Sequence, residues 1–248
     1  MQTGSGTISG GDTLGVTAAI GIICKAPKPG ATKSRLAAAI GPDAAAELSS
    51  CFLQDVAAAI EAVPEDIGRC GYGVYAPAGT EKILRRLFPP SFGLLLRTDA
   101  DLGNVLFAAT RDLLAEPHDC VLLVNGDSPT LPTAFLIQAI EALRVPGDRL
   151  VLGPASDGGY YLIGLKHPHR EVFSGIEWST PSVARTTLQR AQEIALETTL
   201  LPEWYDIDDA ETFRWLRDEL AGRPGRFLGG GPARATRAYL GSAREAVW

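Results

Sequence analysis

Four cations fall within eleven residues of the segment Lys25-Ala-Pro-Lys28-Pro-Gly30-Ala-Thr-Lys33-Ser34-Arg35. Its two prolines limit the backbone, and Gly30 lets a ligand approach the main chain closely. Ammonium and guanidinium groups packed this densely suit a polyphosphate, with Ser34 and the amides opening a following helix as further donors. A solvated basic loop has the same composition, so the position of the segment in the fold must decide between the two. No G-x-x-x-x-G-K-[ST] pattern is present, which disfavours ATPase chemistry of that type.

Carboxylates recur in three other segments. Asp127 follows the apolar run Val121-Leu-Leu-Val-Asn125 and precedes a rigid Ser-Pro-Thr-Leu-Pro turn. A hard ion such as Mg²⁺ or Mn²⁺ needs only one or two protein carboxylates when phosphates and water complete its shell. The alternative is a turn Asp, with Thr133 the better cap for the next helix. Asp157-Gly158-Gly159 reads either as a substrate-facing turn or as a tight hairpin turn, and both can hold together. Asp206 and Asp208, in Trp204-Tyr-Asp-Ile-Asp-Asp209, could complete a metal site, while Asp208 could equally cap the helix that carries Phe213, Trp215 and Leu216. Trp178-Ser179-Thr180 precedes another helix: Trp178 as core packing or a base-stacking platform, Ser179 or Thr180 as a cap.

The elements that must position these residues alternate. Strands are predicted at Ala19–Cys24, Gly71–Tyr75, Gly93–Arg97, Val121–Asn125, Leu150–Gly153 and Tyr160–Leu165, with helical spacing over Asp43–Val63 and between most of the strands. The last two strands are joined by a segment too short for a crossover helix, so an antiparallel excursion is expected in an otherwise parallel sheet. In such open α/β sheets ligands sit beyond the carboxyl ends of the strands, where the basic loop and Asp127 both fall.

With 46% hydrophobic and 21% charged residues, the 248-residue chain can fill one principal α/β domain. The expected division is a Gly/Ser/Thr-rich leader over residues 1–17, a main domain over 18–222 and a Gly- and Arg-containing tail over 223–248, whose apolar Ala246-Val247-Trp248 end could dock on a neighbour in a homo-oligomer. A net charge of −6 without a basic block argues against a nucleic-acid polymer as partner. Four scattered cysteines, with no C-x-x-C pair, suggest neither zinc nor redox chemistry and imply a reducing cytoplasm. No run of roughly 18 apolar residues suggests a membrane span.

In order, KAPKPGATKSRL, NGDSPTLP, GPASDGGYYLIGL, WST and DIDDAETF resemble the bacterial glycosyltransferase-A-like transferases often labelled radical-SAM/selenodomain-associated transferases. That family is similar to the 2-phospholactate guanylyltransferases and molybdenum-cofactor nucleotidyltransferases. The resemblance implies a nucleotide-diphospho-sugar transferase (glycosyltransferase-A-like) fold, a mixed, mostly parallel sheet with helices on both faces. It also implies that Lys25, Lys33 and Arg35 hold a triphosphate, that Asp127 binds metal, and that Asp208 and Asp206 complete the metal site. Lys28, Gly30, Ser34, Asp101, Gly103, Asn104, Asp157, Gly158, Gly159, Trp178, Ser179 and Thr180 are then the nucleotide and substrate contacts. The chain departs from the family pattern over Arg97-Thr-Asp-Ala-Asp101-Leu-Gly103-Asn104. The activity implied is metal-dependent transfer of a nucleoside monophosphate from a triphosphate to a small acceptor with release of pyrophosphate. The alternatives are glycosyl transfer from a nucleotide-sugar and a catalytically silent nucleotide-binding module.

Overall fold

Residues 18 to 22 alternate between two layers, as a strand buried on both faces requires: Ala18, Ile20 and Ile22 enter one core and Ala19 the other. In the computed structural model, which describes residues 17–242, this strand is β1 (Ala18–Lys25). Two helices follow, α1 (Ser34–Ile40) and α2 (Pro42–Glu61), separated by Gly41 at φ 89° with Pro42 starting the second, a position where its missing N–H is harmless. Next come β2 (Arg69–Ala76), α3 (Glu81–Leu87), β3 (Gly93–Leu96), α4 (Leu102–Leu114), β4 (Cys120–Asn125), α5 (Thr133–Arg144), β5 (Arg149–Pro154), β6 (Tyr160–Leu165), α6 (Val183–Glu193), β7 (Glu197–Leu200), α7 (Ala210–Leu220) and α8 (Arg234–Ser242).

The sheet has seven strands in the order β3-β2-β1-β4-β6-β5-β7. Pairings β1·β2, β1·β4, β2·β3 and β5·β7 are parallel, and β6 runs antiparallel to both β4 and β5. The excursion expected between the fifth and sixth strands is therefore present. Helices cover both faces: α2, α5 and α7 contribute to one core with Phe52, Leu136 and Phe213, and α4 and α6 to the other with Leu106 and Ala191. Because the chain leaves β1 towards β2 and β3 and then returns to add β4 on the other side, the order reverses between β1 and β4. Their carboxyl ends open the crevice typical of such a reversal.

The sequence expectations lack α1, which precedes the helix expected from Asp43, and two later elements. β7 is a short edge strand, Glu-Thr-Thr-Leu, without an apolar run. In the tail, α8 packs on α2, and the buried carboxylate of Asp55 accepts the amides of Ala235 (2.8 Å) and Thr236 (2.9 Å). Asp55 thus caps a helix 180 residues away in sequence. Apart from Thr17, the expected leader lies outside the described residues, as does the Ala246-Val247-Trp248 end. Among the described residues all four cysteines are free, and no helix is long and apolar enough to cross a membrane.

Candidate functional site

The basic segment leaves β1 at the crevice between β1 and β4. Its turn is closed by Thr32, whose Oγ1 accepts from the Lys28 amide (2.9 Å) and donates to the Lys28 carbonyl (3.0 Å). Gly30 takes φ 74° in this turn. Lys33 adopts a left-handed backbone (φ 52°, ψ 54°), uncommon for a residue with a Cβ, and its carbonyl accepts from Ala37 (2.7 Å) to open α1. From this position the Lys33 side chain reaches across to Asp127 and Asp208.

Asp127 lies two residues past β4. A Cβ on Gly126 would come within 2.7 Å of Leu53 and 3.1 Å of the Ile23 carbonyl, so only glycine lets this turn lie so close to α2 and β1. Its main chain also holds the third segment in place: the Asp127 carbonyl accepts from the Ile207 amide (3.0 Å). Ile207 is fully buried, and the flanking Asp206 and Asp208 carboxylates turn towards Asp127.

These segments converge on one ammonium. Lys33 Nζ donates to Asp127 Oδ2 and to Asp208 Oδ1 (2.7 Å), and Arg35 donates to Asp208 Oδ2 (2.5 Å). Burial opposes the charge on Lys33, but Asp127 and Asp208 outweigh it by charge and hydrogen bonding and raise its pKa. Asp206, 9% exposed, accepts no hydrogen bond among the described residues. Burial first, then repulsion from Asp127, Asp208 and Asp157, pushes its carboxyl up to about 7.

Oxygens of Asp127, Asp206 and Asp208 lie within 4.8 Å of one another, and Asp127 Oδ1 is buried without a partner among the described residues. Hard carboxylate oxygens, one of them orphaned, are a donor set that fits a divalent cation such as Mg²⁺ or Mn²⁺. Beside them is a cleft of about 560 Å³, whose wall includes Lys25, Gly30, Lys33, Ser34, Arg35 and Ser179. Lys28 is exposed on the same loop and does not line the cleft. Ser49, Phe52 and Leu53 of α2 complete the wall; the sequence pattern gave no sign of them, because their helical spacing is that of core residues.

The other residues expected at the site lie elsewhere or do other work. Asp101 caps α4, accepting from the Asn104 amide and side chain (both 2.8 Å). With Gly103, Asn104 and Trp178, it lines a second cavity of about 500 Å³ that also includes Arg170 and Phe107, which the sequence did not single out. Arg170 stacks 4.1 Å from the Phe107 ring centroid. Gly103 is there for packing, since a Cβ would meet the Phe173 carbonyl at 2.6 Å. Trp178 packs edge-on against Tyr160.

Asp157-Gly158-Gly159 is the tight turn between β5 and β6, with Asp157 Oδ1 accepting from Gly159 (2.8 Å). Gly158, at φ 91°, lies directly under Pro181. Three capping expectations need correction. Asp209, not Asp208, caps α7, in a reciprocal box with Thr212 that frees Asp208 for the cations. Neither Ser179 nor Thr180 caps α6, which begins at Val183; Ser179 takes φ 64°, and Thr180 Oγ1 donates to the Glu177 carbonyl (2.7 Å). Thr133 is already inside α5, and its hydroxyl donates to the Ala59 carbonyl (3.1 Å) instead.

No curated protein matches the sequence. The sequence model of a family described as "Uncharacterized protein conserved in bacteria (DUF2064)" matches residues 72–180, from β2 through the Trp178-Ser179-Thr180 turn. Among solved structures, a "putative nucleotide-diphospho-sugar transferase" from Desulfovibrio desulfuricans G20 is similar over 92% of this chain and 97% of its own, at 26% identity and TM-score 0.78. A 4-diphosphocytidyl-2C-methyl-D-erythritol synthase from Anaerococcus prevotii DSM 20548 aligns over 83% of this chain and 96% of its own, at 13% identity and TM-score 0.55. A CMP:2-keto-3-deoxy-manno-octonic acid synthetase complexed with CTP aligns over 83% and 99%, at 12% identity and TM-score 0.54. The fold is that of the nucleotide-diphospho-sugar transferases, as the sequence motifs implied.

Proposed function

We propose that the protein is a transferase that takes a nucleoside triphosphate, moves its nucleoside monophosphate onto an acceptor oxygen and releases pyrophosphate. The observation that carries this reading is the convergence of Lys33 and Arg35 with Asp127 and Asp208 at the crevice where the strand order reverses. Cations on one wall and carboxylates on the other are what a triphosphate with its counter-ion requires.

In this reading the chain works by positioning and charge. Lys25, Lys33 and Arg35 offset the charge that builds on the leaving pyrophosphate, and Gly30 and Ser34, which line the same cleft, are further phosphate contacts, with Lys28 outside it. Asp127 and Asp208, with Asp206 behind them, hold Mg²⁺ or Mn²⁺, which when bound supplies positive charge to the phosphate oxygens. The acceptor oxygen attacks the α-phosphorus in line, its bond to phosphorus forming as the bond to pyrophosphate breaks. Trp178 and Ser179 are consecutive and line the second cavity and the cleft respectively, so the second cavity, with Asp101, Asn104 and Arg170, suits the acceptor. The Asp157-Gly158-Gly159 turn packs against Pro181, next to Thr180, and lines neither the cleft nor the second cavity.

Glycosyl transfer from a nucleotide-sugar is the second reading, favoured by the name of the Desulfovibrio structure. Three cations lining the cleft from one loop favour three phosphates over two. Incubation with each nucleoside triphosphate and Mg²⁺, read as pyrophosphate release across an acceptor panel, tests the first reading. Nucleoside diphosphate released from nucleotide-sugars instead would replace it with the second. In the active assay, Lys33→Ala is expected to abolish turnover while circular dichroism stays native; full activity in that variant would remove Lys33 from the mechanism.

A further inference from the structure

We propose that Lys33 is a displaceable stand-in for the divalent cation, so that the free protein closes its carboxylate cluster with a tethered ammonium and takes up metal together with nucleotide. The inference rests on the metal-nucleotide reading of the site and adds how that site is kept and loaded.

The ammonium bonds to two of the three clustered carboxylates. It does not satisfy the set: among the described residues Asp127 Oδ1 is buried without a partner, and no hydrogen bond reaches the Asp206 carboxylate. A dication takes more oxygen ligands than an ammonium has protons to donate. The two cannot share the same oxygens, because like charges a few ångströms apart in a partly buried site repel strongly. Metal entry therefore requires Lys33 Nζ to leave.

The residue is built to let it leave. Its main chain is fixed where it opens α1 by the Ala37 amide, while the charge rides on a flexible four-carbon stem that lines the cleft. Nucleotide phosphates in that cleft offer the ammonium new anions; bare metal offers none. Metal alone must evict Lys33 without compensation, whereas metal and nucleotide together exchange one set of ion pairs for another. Arg35, 69% exposed, remains on Asp208 as the outer counter-charge.

Mn²⁺ binding to the whole protein, followed by electron paramagnetic resonance without nucleotide, tests this with wild type, Lys33→Met and Lys33→Arg. Lys33→Met is expected to bind Mn²⁺ at least tenfold more tightly than wild type, and Lys33→Arg, which keeps the charge, no more tightly. With a non-hydrolysable triphosphate present the order reverses, Lys33→Met binding the Mn²⁺ complex more weakly than wild type. Lys33→Gln replaces Lys33→Met should the latter melt below the assay temperature. Neutral variants whose Mn²⁺ affinity equals or falls below that of wild type, or that bind no Mn²⁺ at millimolar concentration, overturn the inference. Because the first titration contains no nucleotide and reads no turnover, an active protein whose Mn²⁺ affinity ignores position 33 sinks this inference alone. Tightened Mn²⁺ binding in a protein that never releases pyrophosphate sinks the functional reading alone.

Discussion

Asp206 lies behind Asp127 and Asp208, where burial and its acidic neighbours lift its carboxyl to about 7. An unfolded chain loses this proton near pH 4. Between about pH 4 and 7 the folded state therefore binds more protons than the unfolded one, and the residue's contribution to stability falls as pH rises. In metal-free buffer Asp206→Asn is expected to melt several degrees above wild type at pH 8 and level with it at pH 4. Parallel melting profiles would show that Asp206 ionises normally. Lys33, Arg35, Asp127 and Asp208 were legible in the sequence as charged residues past a strand or at the start of a helix, where an α/β sheet displays its chemistry. Asp101, Asn104 and Trp178 were legible as polar or aromatic residues but not as members of a separate cavity, because nothing in a linear pattern tells which turns share a wall.

Periodicity predicts elements well where each face is buried, and less well where an element is short, polar and held by pairing or capping from elsewhere. The β1 and β4 strands are apolar runs and fall where expected to within a residue or two. The edge strand β7 is polar and depends on pairing with β5, so alternation cannot find it. The first helix was expected only from Asp43, so α1, which carries Ser34 and Arg35 at its start, was hidden in what reads as a basic loop. α8 is held to α2 by Asp55, whose mid-helix position resembles that of any solvated Asp. Asp55→Ala is expected to cost about 1–2 kcal/mol, the usual loss of a helix cap, seen as a melting temperature lower by several degrees. An unchanged melting temperature would mean that α8 docks without it.

At the level of the molecule, the topology brings loop, strand end and acidic segment together, and binding should be read in the stability of the whole. A ligand present at a hundred times its dissociation constant adds about 2.7 kcal/mol to folding. If Lys33 must be exchanged, the thermal shift from nucleotide and Mg²⁺ together should exceed the sum of the shifts from each alone. Strict additivity would indicate independent sites. Nucleobase choice depends on which loops stand over the cleft, and composition carries no trace of that arrangement.

The contacts of Lys33 join positions 94 and 175 residues apart. A chain emerging from the ribosome has its basic loop early and its last aspartates very late, and closing so long a loop is among the slower events of folding. No fragment ending before Asp208 can assemble the cluster. The cluster can therefore close only after the chain has grown past Asp208, well beyond the loop that carries its ammonium.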